Sequence, residues 1–230
     1  MKHFRYVVYL FVFIASFPVY SGSYDDFFAA VGRDESQTVA KLLKRGFDPN
    51  TVNPKGVPAL IMSVQEPSPK VVAALLSDTR TQVEIRTAQD ESALMLAALK
   101  GYLDMCEALI ARDADVNKPG WTPLHYAATG GHVDVIQLLI DHDAYIDAAS
   151  PNGSTPLMMA AMYGTDDAVK LLLDAGADAT IKNGLGLKAE DFAKRVQRES
   201  AAKLIAEAAR AQLAKRGSGS GSGSGSDSSR

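Results

Sequence analysis

Cysteine is almost absent from this sequence: among 230 residues, Cys106 is the only one. A single cysteine excludes an internal disulfide, so the stability of the fold must come from packing. Cys106 lies three or four residues from Leu103, Leu109 and Ile110, the spacing that places side chains on one face of a helix. We therefore expect a small buried apolar side chain at this position rather than a reactive thiol.

The sequence also lacks a strong excess of either charge. It contains 24 Lys and Arg against 27 Asp and Glu, a net charge of −3. This balance argues against a basic groove of the kind that binds nucleic acid. None of the four histidines has a second histidine or a cysteine at metal-ligand spacing, so no metal site is expected.

Motifs of catalytic and cofactor sites are missing as well. There is no Gly-x-Ser-x-Gly elbow and no phosphate-binding loop, and Gly184-Leu185-Gly186 lacks the third glycine of a dinucleotide site. The carboxylate pairs Asp25-Asp26 and Asp166-Asp167 lie near expected helix starts, where the helix dipole stabilises negative charge. The sequence thus predicts no enzyme activity, no cofactor and no small-molecule substrate.

No apolar run is long enough to cross a bilayer, which takes about 20 residues. The longest run, residues 6–17, follows a short basic head and ends at Pro18. Small residues at Ser21 and Ser23 suit cleavage. This is the layout of a secretory signal peptide, which we place at residues 1–21.

Removal of residues 1–21 would leave 22 basic and 27 acidic residues, a charge of −5. No cysteine lies near the cleavage region, so we do not expect a lipoprotein. We therefore predict an exported protein, periplasmic or secreted, without stable membrane insertion after cleavage. The alternative is a membrane-tethered scaffold in which residues 6–20 stay uncleaved.

Two segments, Trp121–Ala128 and Ser154–Ala161, are near copies of each other and lie thirty-three residues apart. Each leads into a second apolar block, residues 135–140 and 168–173. A fixed period of this size indicates an array of stacked supersecondary units. Sliding the pattern along the chain gives six units, whose anchor positions are 30 to 34 residues apart at Phe27, Leu60, Leu94, Leu124, Leu157 and Glu190.

The Thr-Pro-Leu-His-x-Ala block, the period of thirty-three residues and the closing Gly176-Ala177-Asp178 resemble the ankyrin repeat. The resemblance covers residues 24 to 209 and is strongest in the fourth and fifth units. It implies an all-α solenoid of about six helix-turn-helix repeats with β-hairpin-like loops. It also implies that His125 is structural and bonds across to the next loop.

We place the repeat domain at residues 24–213 and a flexible Gly/Ser-rich tail, either an added linker or a native extension, at 214–230. The repeats are expected near 24–53, 54–88, 89–118, 119–151, 152–183 and 184–213.

Local signals support these helix pairs. Thr122 and Thr155 can cap helices that begin with proline, and Ser68 can do the same before Pro69. Glycines at 46 and 176 suit left-handed helix ends, where Asp113 and Asp143 would be slightly strained. Asn152-Gly153-Ser154 matches a glycosylation acceptor but also suits a tight turn, which we favour.

The resemblance further implies a non-catalytic surface, formed by hairpin loops and first helices, that binds another protein. The candidate contact residues are Leu96, Leu99, Lys100, Trp121, Tyr126, Thr129, Met159, Met162 and Tyr163. Aromatic and methionine side chains are common at interfaces. The alternative for each residue is that it packs against an adjacent loop.

One loop departs from the period. Ten residues separate Ala114 from Leu124, whereas thirteen separate Ala144 from Leu157. We expect this shorter loop to open a notch at Trp121, the main contact patch with Tyr126, Met159 and Tyr163. The sequence thus resembles a secreted or periplasmic bacterial-type ankyrin-repeat protein, expected to be monomeric; an accessory subunit of an envelope enzyme complex is a further alternative.

Overall fold

The computed structural model describes the backbone of residues 18–219 and the side chains of residues 22–217. Residues 1–17 of the predicted signal peptide and 220–230 of the predicted tail lie outside the described part. Between residues 18 and 219 the chain forms helices and no strand, apart from two isolated antiparallel bridges, Val52–Pro58 and Arg86–Ser92. The predicted all-α fold is confirmed.

The helices of this described range follow one another as six pairs, which agrees with the six units found in the sequence. In chain order they are α1 Pro18–Gly32, α2 Ser36–Lys44, α3 Ala59–Gln65, α4 Pro69–Leu76, α5 Ala93–Lys100, α6 Leu103–Ile110, α7 Pro123–Gly130, α8 Val133–Asp141, α9 Pro156–Tyr163, α10 Asp166–Asp174, α11 Ala189–Arg195 and α12 Glu199–Gly219. Odd-numbered helices are called first helices here, and even-numbered ones second helices.

Contacts divide the chain into an amino-terminal unit, residues 1–93, and a carboxy-terminal unit, residues 94–230. In the amino-terminal unit, first helix α1 packs on α3 and second helix α2 packs on α4. In the carboxy-terminal unit, α9 packs between α7 and α11, while α10 packs between α8 and α12. Within each unit, first helices therefore stack on first helices and second helices on second helices.

Small side chains let the first helices approach each other. The alanine pairs at 97–98, 127–128 and 160–161 are all fully buried. The second helices fill the space between neighbours with larger apolar side chains, among them Leu109, Leu139 and Leu172. A single pair could not bury these faces alone, so stacking is what removes them from water.

Helix α7 begins as the sequence predicts. The hydroxyl oxygen of Thr122 accepts from the backbone N–H of His125, and Pro123 occupies the first turn. Thr155 and Pro156 do the same for α9. Each threonine satisfies one of the helix N–H groups that would otherwise lack a partner.

Helix α4 also begins at Pro69, but its cap differs from the prediction. Ser68 makes no capping bond; its hydroxyl lies between two acceptors, the carbonyl of Val31 at 2.9 Å and that of Glu66 at 2.7 Å. The free N–H of Val71 instead donates to the carboxylate of Asp34, also at 2.9 Å. The preceding repeat therefore supplies the cap of this helix.

The turn between the two helices of a pair repeatedly reaches back to the preceding repeat. The donor in each case is a side chain of the turn, and the acceptor is a carbonyl near the end of the preceding first helix. The pairs are Ser68 with Val31 at 2.9 Å, His132 with Leu99 at 3.0 Å, Thr165 with Gly131 at 3.2 Å, and Arg198 with Ala160 at 2.7 Å. Three of these carbonyls are left open by α-helical bonding; that of Ala160 also accepts from the N–H of Gly164 at 3.0 Å.

Left-handed residues end the second helices as predicted. Gly46 and Gly176 have φ of 92° and 101°, and Asp113 and Asp143 have φ of 63° and 61°. A left-handed aspartate is tolerated, but less readily than a glycine.

The last helix runs past the predicted domain boundary at residue 213. Helix α12 continues to Gly219, so residues 214–219 of the predicted tail are helical. Gln212 holds this extension to the preceding repeat by accepting from the N–H of Ala179 at 3.0 Å and donating to the carbonyl of Ala177 at 2.8 Å. Arg216 adds an ion pair with Asp178 at 2.7 Å. These contacts hold the helix against the fifth repeat as far as Arg216.

Candidate functional site

Eight of the nine predicted contact residues lie on the first helices of the carboxy-terminal unit; Trp121 precedes α7. Aligned on their repeats, the helical residues fall into three rows, one residue per helix. The inner row contains Leu96, Tyr126 and Met159, and continues in α11 with Phe192. Leu96, Met159 and Phe192 are buried, with exposed fractions of 7%, 7% and 8%, and Tyr126 is half-buried. The inner row therefore contributes mainly to packing between the helices.

The middle and outer rows reach the surface. Leu99, Thr129 and Met162 form the middle row and are half-buried. The outer row contains Lys100 and Tyr163 and continues with Val196, which follows α11. Tyr163 is 60% exposed and Val196 is 38% exposed. We call the middle and outer rows together the first-helix face.

Backbone spacing keeps this face flat at α7. The outer-row position there is Gly130, and a Cβ at this residue would lie 2.5 Å from the carbonyl oxygen of Leu99. A side chain larger than hydrogen would therefore push the neighbouring helix ends apart. Lys100 and Tyr163 flank the resulting flat strip in the aligned outer row.

Trp121 lies at the base of the short loop between α6 and α7. Its ring is half-buried and meets the ring of His125 edge to face, with centroids 5.2 Å apart and an interplanar angle of 75°. The same loop approaches its neighbour: a Cβ at Gly120 would lie 3.7 Å from Pro151. Part of Trp121 is therefore packed against His125, and the rest is exposed.

The contacts of His125 confirm the structural role that the resemblance implied for it. Its Nε2 donates to the carbonyl of Ser154 in the next loop at 2.9 Å. Its Nδ1 accepts from the N–H and hydroxyl of Thr122, at 3.2 and 2.9 Å. Burial lowers the pKa of His125 to about 4, against the backbone bonds to Ser154 and Ala148 that raise it. The imidazole is therefore neutral and serves to join two repeats.

Cys106 is fully buried, as predicted. Burial raises the pKa of its thiol to about 12, and the charges of Asp134 and Glu107 add to this effect. The thiolate, which is the reactive form, is therefore disfavoured.

Charge is distributed unevenly between the two layers of helices in repeats three to five. The first helices α5, α7 and α9 carry no acidic residue, and Lys100 is their one basic residue. The second helices α6, α8 and α10 carry one basic residue, Lys170, and seven acidic ones: Asp104, Glu107, Asp134, Asp141, Asp166, Asp167 and Asp174. The second helices thus present a solvated acidic surface, whereas the first-helix face is nearly neutral.

The structure reveals exposed apolar residues that the sequence interpretation missed. Tyr145, in the loop after α8, is 67% exposed, and Leu185, at the tip of the last hairpin loop, is 77% exposed. Val196 completes the outer row. Extending the repeat alignment into the sixth unit would have found Val196, because it aligns with Tyr163; Leu185 lies between two glycines and gave no such signal.

Between residues 18 and 219, no helix combines the length and apolarity required to cross a bilayer. In the same range, no group of three or more His, Cys, Asp or Glu side chains is arranged to hold a metal ion.

Comparison with known proteins agrees with the repeated helix pairs. The family model described as ankyrin repeats (3 copies) matches residues 27–119 and 115–183, which together are more than half of the chain. The match includes α7 and α9 and the loops on either side of them.

Similar proteins share parts of this region. The B-cell lymphoma 3 protein homolog of Mus musculus is 27% identical over 152 residues, 63% of this chain and 34% of that protein. The nuclear factor NF-kappa-B p105 subunit of Gallus gallus is 30% identical over 161 residues, 67% of this chain and 16% of that protein. The 2-5A-dependent ribonuclease of Mus musculus is 37% identical over 70 residues, 29% of this chain and 10% of that protein. The chain thus spans about a third or less of the length of these relatives.

Proposed function

Because the chain belongs to the ankyrin repeat family, we propose that it binds another protein through the first-helix face of its carboxy-terminal unit. Ankyrin repeats are in general non-catalytic modules of protein–protein interaction. The partner surface in this proposal consists of Leu99, Thr129 and Met162 in the middle row, with Lys100 and Tyr163 in the outer row.

The exposure of Tyr163 is the observation that carries the proposal. Because Tyr163 is 60% exposed on its helix, it has no role in the core and leaves apolar surface in water. Tyrosines of this kind are enriched among residues that dominate binding energy, because they bury large area with few rotatable bonds. Met162 lies beside it on the same helix and can adapt to an irregular partner surface.

The charge distribution favours the first-helix face over the opposite layer. A partner that buries the second helices would have to desolvate several carboxylates, which is costly without matching cations. The first helices of repeats three to five present no carboxylate to desolvate. Apolar contact on the first-helix face therefore carries a smaller desolvation penalty.

The buried members of the predicted site take a supporting role in this proposal. Leu96 and Met159 are only 7% exposed, so they position the helices that carry the contact residues. Tyr126 and Trp121 are half-buried and contribute contact area at the edge of the face.

A pair of tyrosine variants tests the surface. Each tyrosine is replaced in turn by the photocrosslinking residue benzoylphenylalanine, at Tyr163 and at the similarly exposed Tyr145, in the source cell. Crosslinked partners are then identified by mass spectrometry. We expect a discrete protein adduct through position 163 and little through position 145.

The affinity for the crosslinked partner is then measured for two alanine variants. Tyr163→Ala should weaken binding by about tenfold or more, as expected for an interface anchor, while Tyr145→Ala leaves it unchanged. Equal losses in both variants, or a crosslink through Tyr145 alone, would place the interface elsewhere.

We also propose that the protein is exported, on the basis of the basic head and short apolar run at residues 1–17. In a Gram-negative host, the wild-type chain should accumulate in the periplasm with a mass reduced by its first residues. The double variant Leu10→Arg/Phe13→Arg should remain in the cytoplasm at full mass, because two charges interrupt the apolar run. A wild-type chain that stays at full mass in the membrane fraction would instead support the tethered scaffold.

A further inference from the structure

Helix α1 runs through both candidate cleavage sites, since it extends from Pro18 to Gly32 without a break. The part of α1 that packs into the fold begins at Tyr24. The Tyr24 hydroxyl donates to the carbonyl of Val52 at 2.8 Å, and its ring lies 5.0 Å from that of Phe28. Phe27 is fully buried and its ring lies 4.4 Å from Phe47. The fold therefore requires the helix from Tyr24 onward.

Residues 23–26 have the composition of a helix start, yet in the uncut chain they lie inside a helix. Ser23 has the residue type that is favoured at the N-cap, and Asp25 and Asp26 would then occupy the second and third positions of the first turn. Carboxylates there are stabilised by the helix dipole. With α1 starting at Pro18, none of these residues is at the helix end, so the capping and dipole contributions of a helix start do not apply to them.

We infer that, in the exported protein, cleavage follows Ser21, so that the chain begins at Gly22 and α1 begins with Ser23 as its N-cap. This inference rests on the proposed export. Val19 and Ser21 then lie three residues and one residue before the cut, where small residues are needed. Cleavage thereby converts Ser23, Asp25 and Asp26 from helix-interior residues into the cap and first turn.

The alternative cut after Ser23 is disfavoured by the same physics. It would remove the capping serine and place a free α-amino group directly on Tyr24. That group is largely positively charged near neutral pH, and a positive charge at the amino end of a helix opposes the helix dipole. Starting at Gly22 keeps the charge outside the helix and retains the cap.

The first test is the intact mass of the protein recovered after export. An amino terminus at Gly22 is expected. An amino terminus at Tyr24 would overturn the inference while leaving the proposed export standing, whereas an uncleaved chain would refute the export itself.

The second test is the effect of Ser23→Ala in two forms of the chain. In the exported protein, loss of the cap should raise the unfolding equilibrium constant about fivefold. In the full-length chain, retained in the cytoplasm by the Leu10→Arg/Phe13→Arg changes, the same substitution should have a clearly smaller effect, because a serine inside a helix caps no helix end and alanine is favoured there. Equal effects in both forms, measured by urea unfolding, would overturn the assignment of Ser23 as the helix cap.

Discussion

At the scale of single residues, two equivalent positions show how one side chain can join neighbouring repeats or merely fill space. His125 and Met158 both occupy the third position of a first helix. His125 bonds to Thr122 on one side and to Ser154 of the next loop on the other. Met158 is equally buried, but its sulfur only faces the N–H of Thr155 at 3.4 Å. The histidine therefore adds a polar connection that the methionine lacks.

The buried His125 predicts a specific loss of stability in acid. Its pKa is about 4 in the folded protein and about 6.5 when unfolded. The unfolded chain therefore binds a proton first as the pH falls. The stability that depends on the neutral ring is fully present above pH 6.5 and is lost between about pH 6.5 and 4, at a total of roughly 3 kcal/mol.

Urea unfolding from pH 7.5 to 4 measures this dependence. His125→Gln should be less stable at neutral pH but should show a shallower decline in that window. His142→Gln, at an exposed histidine, is the control and should follow the wild type. A decline of equal slope in all three proteins would show that His125 does not set the acid sensitivity.

A second residue-scale contrast concerns Asn117 and Asp147, which are equivalent in adjacent repeats. Asn117 accepts from the N–H of Tyr145 at 2.8 Å and donates to the carbonyl of Asp143 at 2.7 Å. Asp147 accepts from the N–H of Asp178 at 3.0 Å, but an ionised carboxylate cannot donate. Burial raises the pKa of Asp147, and the charge of Asp178 adds to this, although the backbone bond lowers it.

Replacing Asp147 by asparagine should therefore stabilise the protein by about 1 kcal/mol at pH 7, a typical value for one hydrogen bond. Because a raised pKa favours folding only where the group is protonated, ionised Asp147 destabilises the fold above that pKa. The benefit of Asp147→Asn should shrink as the pH falls, since protonated Asp147 can donate as well. Thermal unfolding at pH 7 and pH 4 tests both statements, and a benefit that grows in acid would contradict them.

At the scale of helices, close approach between neighbouring first helices depends on glycine at their ends. Gly164 follows α9, and a Cβ there would lie 2.3 Å from the carbonyl oxygen of Ala128 and 3.0 Å from Cα of Ala160. Both neighbours are backbone atoms and have little room to move. Stacking of α9 on α7 therefore needs a residue without a side chain at this point.

Gly164→Ala should destabilise the protein by about 2–3 kcal/mol, the usual range for an overpacked site. Gly176→Ala is the matched comparison, because a Cβ there meets nothing within 4 Å and only the left-handed φ of 101° is unfavourable. We expect that variant to lose about 1 kcal/mol. Urea unfolding of both variants gives the difference, and a larger loss at Gly176 would contradict steric control at Gly164.

At the scale of the whole chain, each repeat of a stacked array is stabilised by its contacts with the neighbouring repeats. Arg198 links the last repeat to the preceding one. Its guanidinium donates to the carbonyls of Ala160 and Ala161 at 2.7 and 3.1 Å and pairs with Asp166 at 2.6 Å. Hydrogen bonds from Ser200 and Arg198 lower the pKa of Asp166 although partial burial acts to raise it.

Arg198→Ala should therefore loosen the last repeat before the rest of its unit. We expect a loss of about 2 kcal/mol, the scale of a charge-assisted hydrogen bond. Hydrogen exchange should speed up in α11 and α12 more than in α7 and α8. The control Arg195→Ala, at an exposed position on α11, should leave exchange unchanged; uniform acceleration throughout would mean that the unit unfolds only as a whole.

Local patterns in the chain were sufficient to predict the repeated helix pairs. Thr122-Pro123 and Thr155-Pro156 mark helix starts, the alanine and leucine pairs mark buried faces, and the period of about thirty-three residues fixes how they follow one another. These features could be predicted because helix capping and helical periodicity involve residues close in sequence. The buried state of Cys106 followed from the same patterns, whereas the structural role of His125 followed from the resemblance to the ankyrin repeat.

What only the tertiary structure decided are features that depend on residues one repeat away. Asp34 rather than Ser68 caps α4, Arg216 and Gln212 extend α12 past residue 213, and Leu96 and Met159 are covered while Tyr163 stays exposed. Each of these depends on the distance between side chains of adjacent repeats, which a repeat pattern leaves unspecified. The sequence by itself therefore determined the family and the order of helices, whereas the stacking of neighbours decided which side chains remain available to a partner.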